Sequence, residues 1–240
     1  MSVSPEANPA GLAEKIRVWR NVYQRIRFFK KMYPLSVLVK DAFLFPLDYA
    51  LTGRPISRVR NVTVAITHKC NLRCEMCYFQ EELADRRELP LESYARLIDS
   101  VKKSRPCIIL SGGEPLTHPD LLEMVALAKR ARLPVQIFTN GTLVRPKIAD
   151  KLVGLGLDYI DFTLLGDAQS HPLVARSPKA YEQLTANLEH LAKNRGRTRI
   201  VLNYTVTPRA VQDIGHALKL VKRFELDGLR IQHYNFLRPK

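Results

Sequence analysis

The sequence predicts an α/β protein: a parallel sheet of six strands with helices packed outside it. Three observations carry this. From residue 61 onward, short runs rich in β-branched and apolar residues alternate with stretches whose apolar residues return every three or four positions. Glycine, proline and hydroxyl residues mark the boundaries between them. The residues with unusual chemistry fall directly after strands, at what would be one rim of the sheet. A curved or partial barrel fits this order, and so does an open doubly wound sheet.

The elements follow in order. Val62–Thr67 is the first strand, and Leu91, Tyr94, Ile98 and Val101 make a helix face after it. Cys107–Ser111 is the second strand. Thr117, Pro119 and Asp120 then read as a hydroxyl cap, an early proline and a first-turn acid, opening a helix carried by Leu121, Leu122, Val125 and Ala128. Val135–Thr139 is the third strand, and Ile148 and Leu152 mark a helix ending near Gly154. Tyr159–Leu165 is the fourth strand. Ser177 and Pro178 open a helix with Tyr181, Leu184, Leu188 and Leu191 on its face, stopped at Gly196. Arg199–Val206 is the fifth strand. Val211, Ile214, Leu218 and Val221 form the fifth helix face, and Leu229–Tyr234 is the sixth strand. The strands read as nearly continuous apolar runs, the pattern of parallel strands buried on both faces.

The 240 residues carry 38 Lys and Arg against 23 Asp and Glu, a net charge of +15 that favours anionic partners without choosing among them. Residues 1–13 read as a loose tail. In 14–33, Ile16, Trp19, Tyr23, Ile26, Phe29 and Tyr33 lie along one side of a basic helix, and Gly53, Arg54 and Pro55 read as a linker. That helix is suited to pack against the rest of the protein or to lie on an anionic membrane. Its amphipathic, aromatic character favours these over RNA. No secretory signal and no run of about eighteen uncharged apolar residues is present, so we expect a cytoplasmic protein, with peripheral contact on the inner membrane face through 14–33.

The chemistry gathers after the strands. Cys70, Cys74 and Cys77 follow the first; Gly112, Gly113, Glu114 and Pro115 the second; Thr139, Asn140, Gly141 and Thr142 the third; Asp167 the fourth. Three clustered thiols suggest metal binding in a reducing compartment rather than a disulfide scaffold. Cysteine thiolates hold iron–sulfur clusters, usually in fours; three leave one iron open. With His68 nearby, a Cys3His zinc site is the alternative, although it leaves the glycine pair unexplained. Cys107, inside an apolar strand, reads as a small core residue.

The run Cys70-Asn71-Leu72-Arg73-Cys74-Glu75-Met76-Cys77-Tyr78 resembles the cluster motif of the radical S-adenosylmethionine (radical SAM) enzymes, Gly112-Gly113-Glu114-Pro115 resembles that family's second motif, and Thr139-Asn140-Gly141-Thr142 recurs there after the third strand. The resemblance covers residues 61–240. It implies that Cys70, Cys74 and Cys77 bind a [4Fe–4S] cluster whose open iron takes the amino and carboxylate groups of S-adenosylmethionine. One electron, from a donor such as a ferredoxin or flavodoxin, then cleaves the carbon–sulfur bond, and a 5′-deoxyadenosyl radical takes a hydrogen atom from a substrate: a peptide, a lipid or a small molecule. By the same resemblance Gly112, Gly113, Glu114 and Pro115 meet the methionine end, Gly112 and Gly113 by close backbone approach. Thr139 and Asn140 meet the ribose or substrate, although Asn140-Gly141 also reads as a plain turn. Thr163 and Asn203 are further cofactor candidates. Arg176, in a segment resembling peptide-modifying members, is a partner for the cofactor carboxylate or a solvated surface residue. Met76 stands where an aromatic residue often lies beside adenine. His171 and His233, near the rim, are substrate candidates or ordinary polar contacts. The expected architecture is a partial (β/α)6, TIM-like barrel over 61–240, truncated at its C-terminus, preceded by the basic helical segment 1–60. An RNA-modifying member and a non-catalytic metal scaffold are the rival functions.

Overall fold

In the computed structural model of the protein, residues 60–77, 79 and 82–233 are described, and all fall within the unit Arg58–Lys240. The expectations for residues 1–59, among them the basic helix and its membrane contact, lie outside the described residues, as does Tyr234.

Six strands form one sheet: β1 (Asn61–Thr67), β2 (Cys107–Gly112), β3 (Val135–Thr139), β4 (Tyr159–Leu164), β5 (Arg199–Val206) and β6 (Gly228–His233). Their spatial order is their sequence order, and every neighbouring pair is parallel. A doubly wound sheet reverses its strand order at a switch point. This sheet never reverses, so right-handed crossovers put every helix on one face and the sheet curls away from them into a partial barrel. The helices are α1 (Leu91–Val101), α2 (Leu121–Arg130), α3 (Pro146–Gly154), α4 (Ser170–Ala175), α5 (Ala180–Asn194) and α6 (Ile214–Arg223).

One core lies between strands and helices. Val64, Ile66, Ile108, Leu110, Ile137, Ile160, Phe162, Leu164, Ile200, Leu202 and Tyr204 point outward from the sheet into it, against Tyr94, Ile98, Met124, Leu152, Leu184, Leu188 and Leu220 from the helices. The alternate residues face the concave side: polar Thr63, Ser111, Gln136, Asp161, Thr163, Arg199, Asn203, Arg230 and Gln232, together with Ile109, Phe138, Tyr159 and Val201. The expectation of strands apolar on both faces is therefore corrected. The inner face is largely polar because it lines a chamber, and only the outer face packs against helices. Cys107 sits half-buried on that inner face rather than in the core.

Other expectations shift locally. Thr117 does not cap α2. Its hydroxyl donates to the Glu114 carbonyl at 2.7 Å within a short 3-10 turn, Pro115–Thr117, and Asp120 takes the cap position. α4 has no counterpart in the apolar pattern, because six residues are too few to show a helical period. The face of α6 is also different. Ala217 and Leu220 are buried, while Leu218 is 49% exposed and Val211 lies before the helix in a 3-10 turn. Alanine fills the inward position there, so the larger residues misled the pattern.

Candidate active site

The site is built where the first three strands end. β1 slips register between Ala65 and Thr67, and an extra residue there bends the strand as it enters the cysteine loop. β2 runs into Gly112 and Gly113. A Cβ on Gly112, whose φ is +121°, would lie 2.3 Å from the Thr67 carbonyl oxygen, and one on Gly113 would lie 2.2 Å from that of Lys69. Only glycine lets these backbones touch. The contact is used: Gly113 N–H donates to Thr67 O and Glu114 N–H to Lys69 O, both at 2.8 Å. The glycine pair thus presses the β2 turn onto the chain leading into Cys70.

Glu114 joins this unit to β3. It is 1% exposed. Its carboxylate accepts from the Thr139 hydroxyl at 2.8 Å, from Asn140 N–H at 2.7 Å and from Leu116 N–H at 3.1 Å. Burial pushes the carboxyl up to about 7, against the pull of those three donors. The sequence reading put Glu114 at the methionine end of the cofactor; in the structure its side chain clamps the β2 and β3 turns together. Pro115, buried, starts the turn that Glu114 caps.

The β3 turn is in turn tied to the cysteine loop. Asn71 Nδ2 donates to the Thr142 hydroxyl at 2.8 Å, Asn140 Nδ2 donates to Asn71 Oδ1 at 3.0 Å, and Thr142 Oγ1 donates to Asn140 Oδ1 at 2.6 Å. From α5, Asn187 Nδ2 donates to the carbonyls of Gly141 at 2.8 Å and Thr142 at 3.1 Å. Sequence reasoning missed Asn71, Thr142 and Asn187 as holding groups. The signal was present in Asn187, a polar residue within the apolar stripe Leu184, Leu188, Leu191.

Cys70, Cys74 and Cys77 are each partly buried, and none is in a disulfide. Leu72, Leu165, Val174, Ala175 and Ala180 form an apolar bed against which Cys70, Cys74 and Met76 pack. The loop is anchored to α4 by Glu75 N–H donating to Val174 O at 2.9 Å, and to the loop after β5 by the Arg209 guanidinium on both Glu75 oxygens at 3.1 Å. Burial first, and then the other cysteines and Glu114, push the Cys70 thiol up to about 11 and the Cys74 thiol up to about 12. Thiols close enough to oppose one another's ionisation, on a dry bed, form a donor set that a cation neutralises. Among the described residues, no three His, Cys, Asp or Glu side chains are gathered as a single metal ion requires. A cubane is wider, because each thiolate binds a different iron. His68 bonds Asp85 Oδ1 through Nδ1 at 2.8 Å, and its ring lies edge-on to Phe79. The three cysteines supply the thiolates that an iron–sulfur cluster takes.

The remaining candidates divide. Thr163, half-buried, and Asn203, 5% exposed, are register partners on the chamber face of β4 and β5. Asn203 Oδ1 is buried without a hydrogen-bond partner. Arg176 is exposed at the end of α4 in the left-handed conformation, φ 52°. Asp167 is not part of the site: its Oδ1 accepts from Gln169 N–H and Ser170 N–H at the start of α4. His171 turns inward, its Nδ1 accepting from Leu165 N–H at 3.1 Å, and His233 is exposed at the end of β6.

A family model described as the radical SAM superfamily matches residues 64–221. An AdoMet-dependent heme synthase of Methanosarcina barkeri is 33% identical over 193 residues, 79% of this chain and 53% of the relative. An Fe-coproporphyrin III synthase of the same organism is 30% identical over 170 residues, 70% of this chain and 42% of the relative. The chain thus spans about half the length of these curated relatives or less. The crystal structure of Streptococcus suis SuiB bound to S-adenosylmethionine has the same fold, with a TM-score of 0.64 at 14% identity over 75% of this chain and 40% of that one. Among the described residues no helix is long and apolar enough to cross a membrane.

Proposed function

Because the chain belongs to the radical SAM superfamily, we propose that Cys70, Cys74 and Cys77 hold a [4Fe–4S] cluster at which S-adenosylmethionine is split to generate a radical for modification of an organic substrate. When bound, the cluster supplies the electron that cleaves the carbon–sulfur bond, releasing methionine and a 5′-deoxyadenosyl radical that takes a hydrogen atom from the substrate.

One observation carries the reading: three cysteines sit on one loop that the Gly112-Gly113-Glu114-Pro115 and Thr139-Asn140-Gly141-Thr142 turns clamp from two sides. The chain's own residues do the positioning. Gly112 and Gly113 fix the entry to the cysteine loop and leave their open side to the methionine group. Glu114 holds Thr139 and Asn140 in place, and those turns face the ribose. Met76, on the apolar bed, lies against the adenine side. Thr163 and Asn203 line the chamber below, and Arg176 reaches the cofactor carboxylate. The bed of Leu72, Leu165, Val174 and Ala175 keeps water from the loop. A small reducing protein such as a ferredoxin or flavodoxin delivers the electron, and residues 14–33 give peripheral contact with the inner membrane face. The names of the two curated relatives make an iron tetrapyrrole the first substrate to assay, ahead of peptides and lipids.

The test is anaerobic reconstitution with iron and sulfide, followed by reduction in the presence of S-adenosylmethionine. We expect about four irons per chain and 5′-deoxyadenosine by mass spectrometry, both lost in Cys74→Ala. Full iron binding and nucleoside release by Cys74→Ala refutes the assignment.

A further inference from the structure

The concave face of the sheet carries a charged group that the cofactor reading does not use. Asp161, at the middle of β4, is wholly buried. It is held from two sides: Arg230 of β6 donates to its Oδ1 at 2.8 Å, and Gln136 of β3 donates to its Oδ2. The Arg230 guanidinium also lies over the Phe138 ring, 5.4 Å from its centroid. A carboxylate and an aromatic face thus fix this arginine from below and beside, which removes most of the rotamer freedom that a long side chain otherwise loses on binding. Yet Arg230 is not used up. It bonds Asp161 through one nitrogen, and its side chain remains 37% exposed while Asp161 is 0% exposed. A guanidinium has five N–H donors in a planar fork, so an open edge is left toward the chamber.

Register places that edge. Thr163 pairs with Asn203, and Asn203 with Arg230. Thr163 is one residue beyond Phe162, which pairs with Thr139, so this row stands level with Asn140 of the candidate site. In the same row Asn203 donates to Gln232 Oε1 at 3.2 Å but leaves its Oδ1 buried and unpartnered. A buried amide oxygen without a donor is costly unless a ligand supplies one.

The geometry points to Arg230 as a substrate anchor: a preorganised site on β6 for a carboxylate of the substrate, with Asn203 Oδ1 accepting an N–H or O–H of the same ligand. The inference rests on the proposed function for treating the concave face as the reaction chamber, and it adds that the substrate is a carboxylic acid. Asp161 and Phe138 are positioning residues, acting through Arg230. Thr163, Asn203, Gln136 and Gln232 beside it are neutral, and Arg199 on the same face of β5 lies four residues from Asn203, against the Tyr159 ring at 5.6 Å, so Arg230 is the cation in the row of Thr163 and Asn203.

The test uses the reconstituted protein and a defined pair of probes, glutarate and its neutral isostere glutaramide, by isothermal titration at fixed ionic strength with sulfate as the control for the +15 surface. We expect glutarate to bind wild type and glutaramide and sulfate not to compete. Arg230→Lys keeps the charge opposite Asp161 and should fold, but loses the planar fork and should weaken glutarate about tenfold. The double variant Asp161→Asn, Arg230→Gln removes both charges of the pair together, so it avoids leaving the buried one uncompensated, and should show no glutarate binding. Equal binding by wild type and both variants places the anion elsewhere on the basic surface and overturns the anchor. So does a wild-type protein that does not distinguish glutarate from glutaramide. Neither outcome depends on cleavage of S-adenosylmethionine, so absence of 5′-deoxyadenosine refutes the proposed function separately.

Discussion

Gly113→Ala is the sharpest probe of how the site is held. The added methyl carbon would sit 2.2 Å from the Lys69 carbonyl oxygen and 2.8 Å from its carbon, where ordinary contact begins at 3.4 Å. Both neighbours are backbone, so no side chain can swing aside. Relief needs the two chains to part by about 1.2 Å, the difference between 3.4 and 2.2 Å. The hydrogen bonds Gly113 N–Thr67 O and Glu114 N–Lys69 O, now 2.8 Å, would then open to about 4 Å, past any useful length. Losing two such bonds costs about 1–3 kcal/mol, and the overpacking adds about 1–3 kcal/mol, so the total is roughly 2–6 kcal/mol. For a domain of this size each kcal/mol lowers the melting temperature by about 2–4 °C, so the thermal unfolding midpoint followed by circular dichroism should drop by at least about 4 °C. The displaced segment leads into Cys70, so iron retained after reconstitution should fall as well. A Gly113→Ala protein that melts with wild type and holds the same iron refutes the claim that the glycine pair exists for backbone contact with the cysteine loop.

Two further outcomes test the frame around the site. His171 is 1% exposed, and burial lowers its pKa from 6.5 to about 4. The folded state therefore binds fewer protons than the unfolded one. The resulting stability is complete above pH 6.5 and is lost as pH falls from there toward 4, by on the order of 3 kcal/mol. Denaturant titrations across that window should show a slope in wild type that His171→Gln flattens; parallel slopes would refute it. Asn187→Ala removes two donors from the buried Gly141 and Thr142 carbonyls and should cost about 1–3 kcal/mol in urea unfolding with the m-value unchanged. A loss below about 0.5 kcal/mol would mean that the β3 turn is held without it.

The elements were legible in the sequence because apolar periodicity reports burial directly. β3 and β5 begin and end at the residues that the sequence pattern marks, Val135–Thr139 and Arg199–Val206. Where the reading slipped, the physics is local. α4 is shorter than two helical turns, Ala217 buries a face of α6 that larger residues seemed to claim, and Thr117 had a nearer acceptor in Glu114 O than in α2. The candidate site was legible as residue types. The cysteine spacing named the donor set, and the glycine and Thr-Asn-Gly runs named its neighbours. Their division of labour was not legible, because Glu114 meets Thr139 and Asn71 meets Thr142 across 25 and 71 positions.

By itself, the chain's order of residues determined the alternation of strands and helices, the three thiols on one loop and the rim on which they sit. These depend on local spacing, which sequence records. The motifs, through the family they resemble, also carried the partial barrel; only the tertiary structure decided that its inner face is largely polar and that Asp161, Phe138 and Arg230 meet there from three strands. Contacts between strands depend on register and curvature, which no single strand encodes.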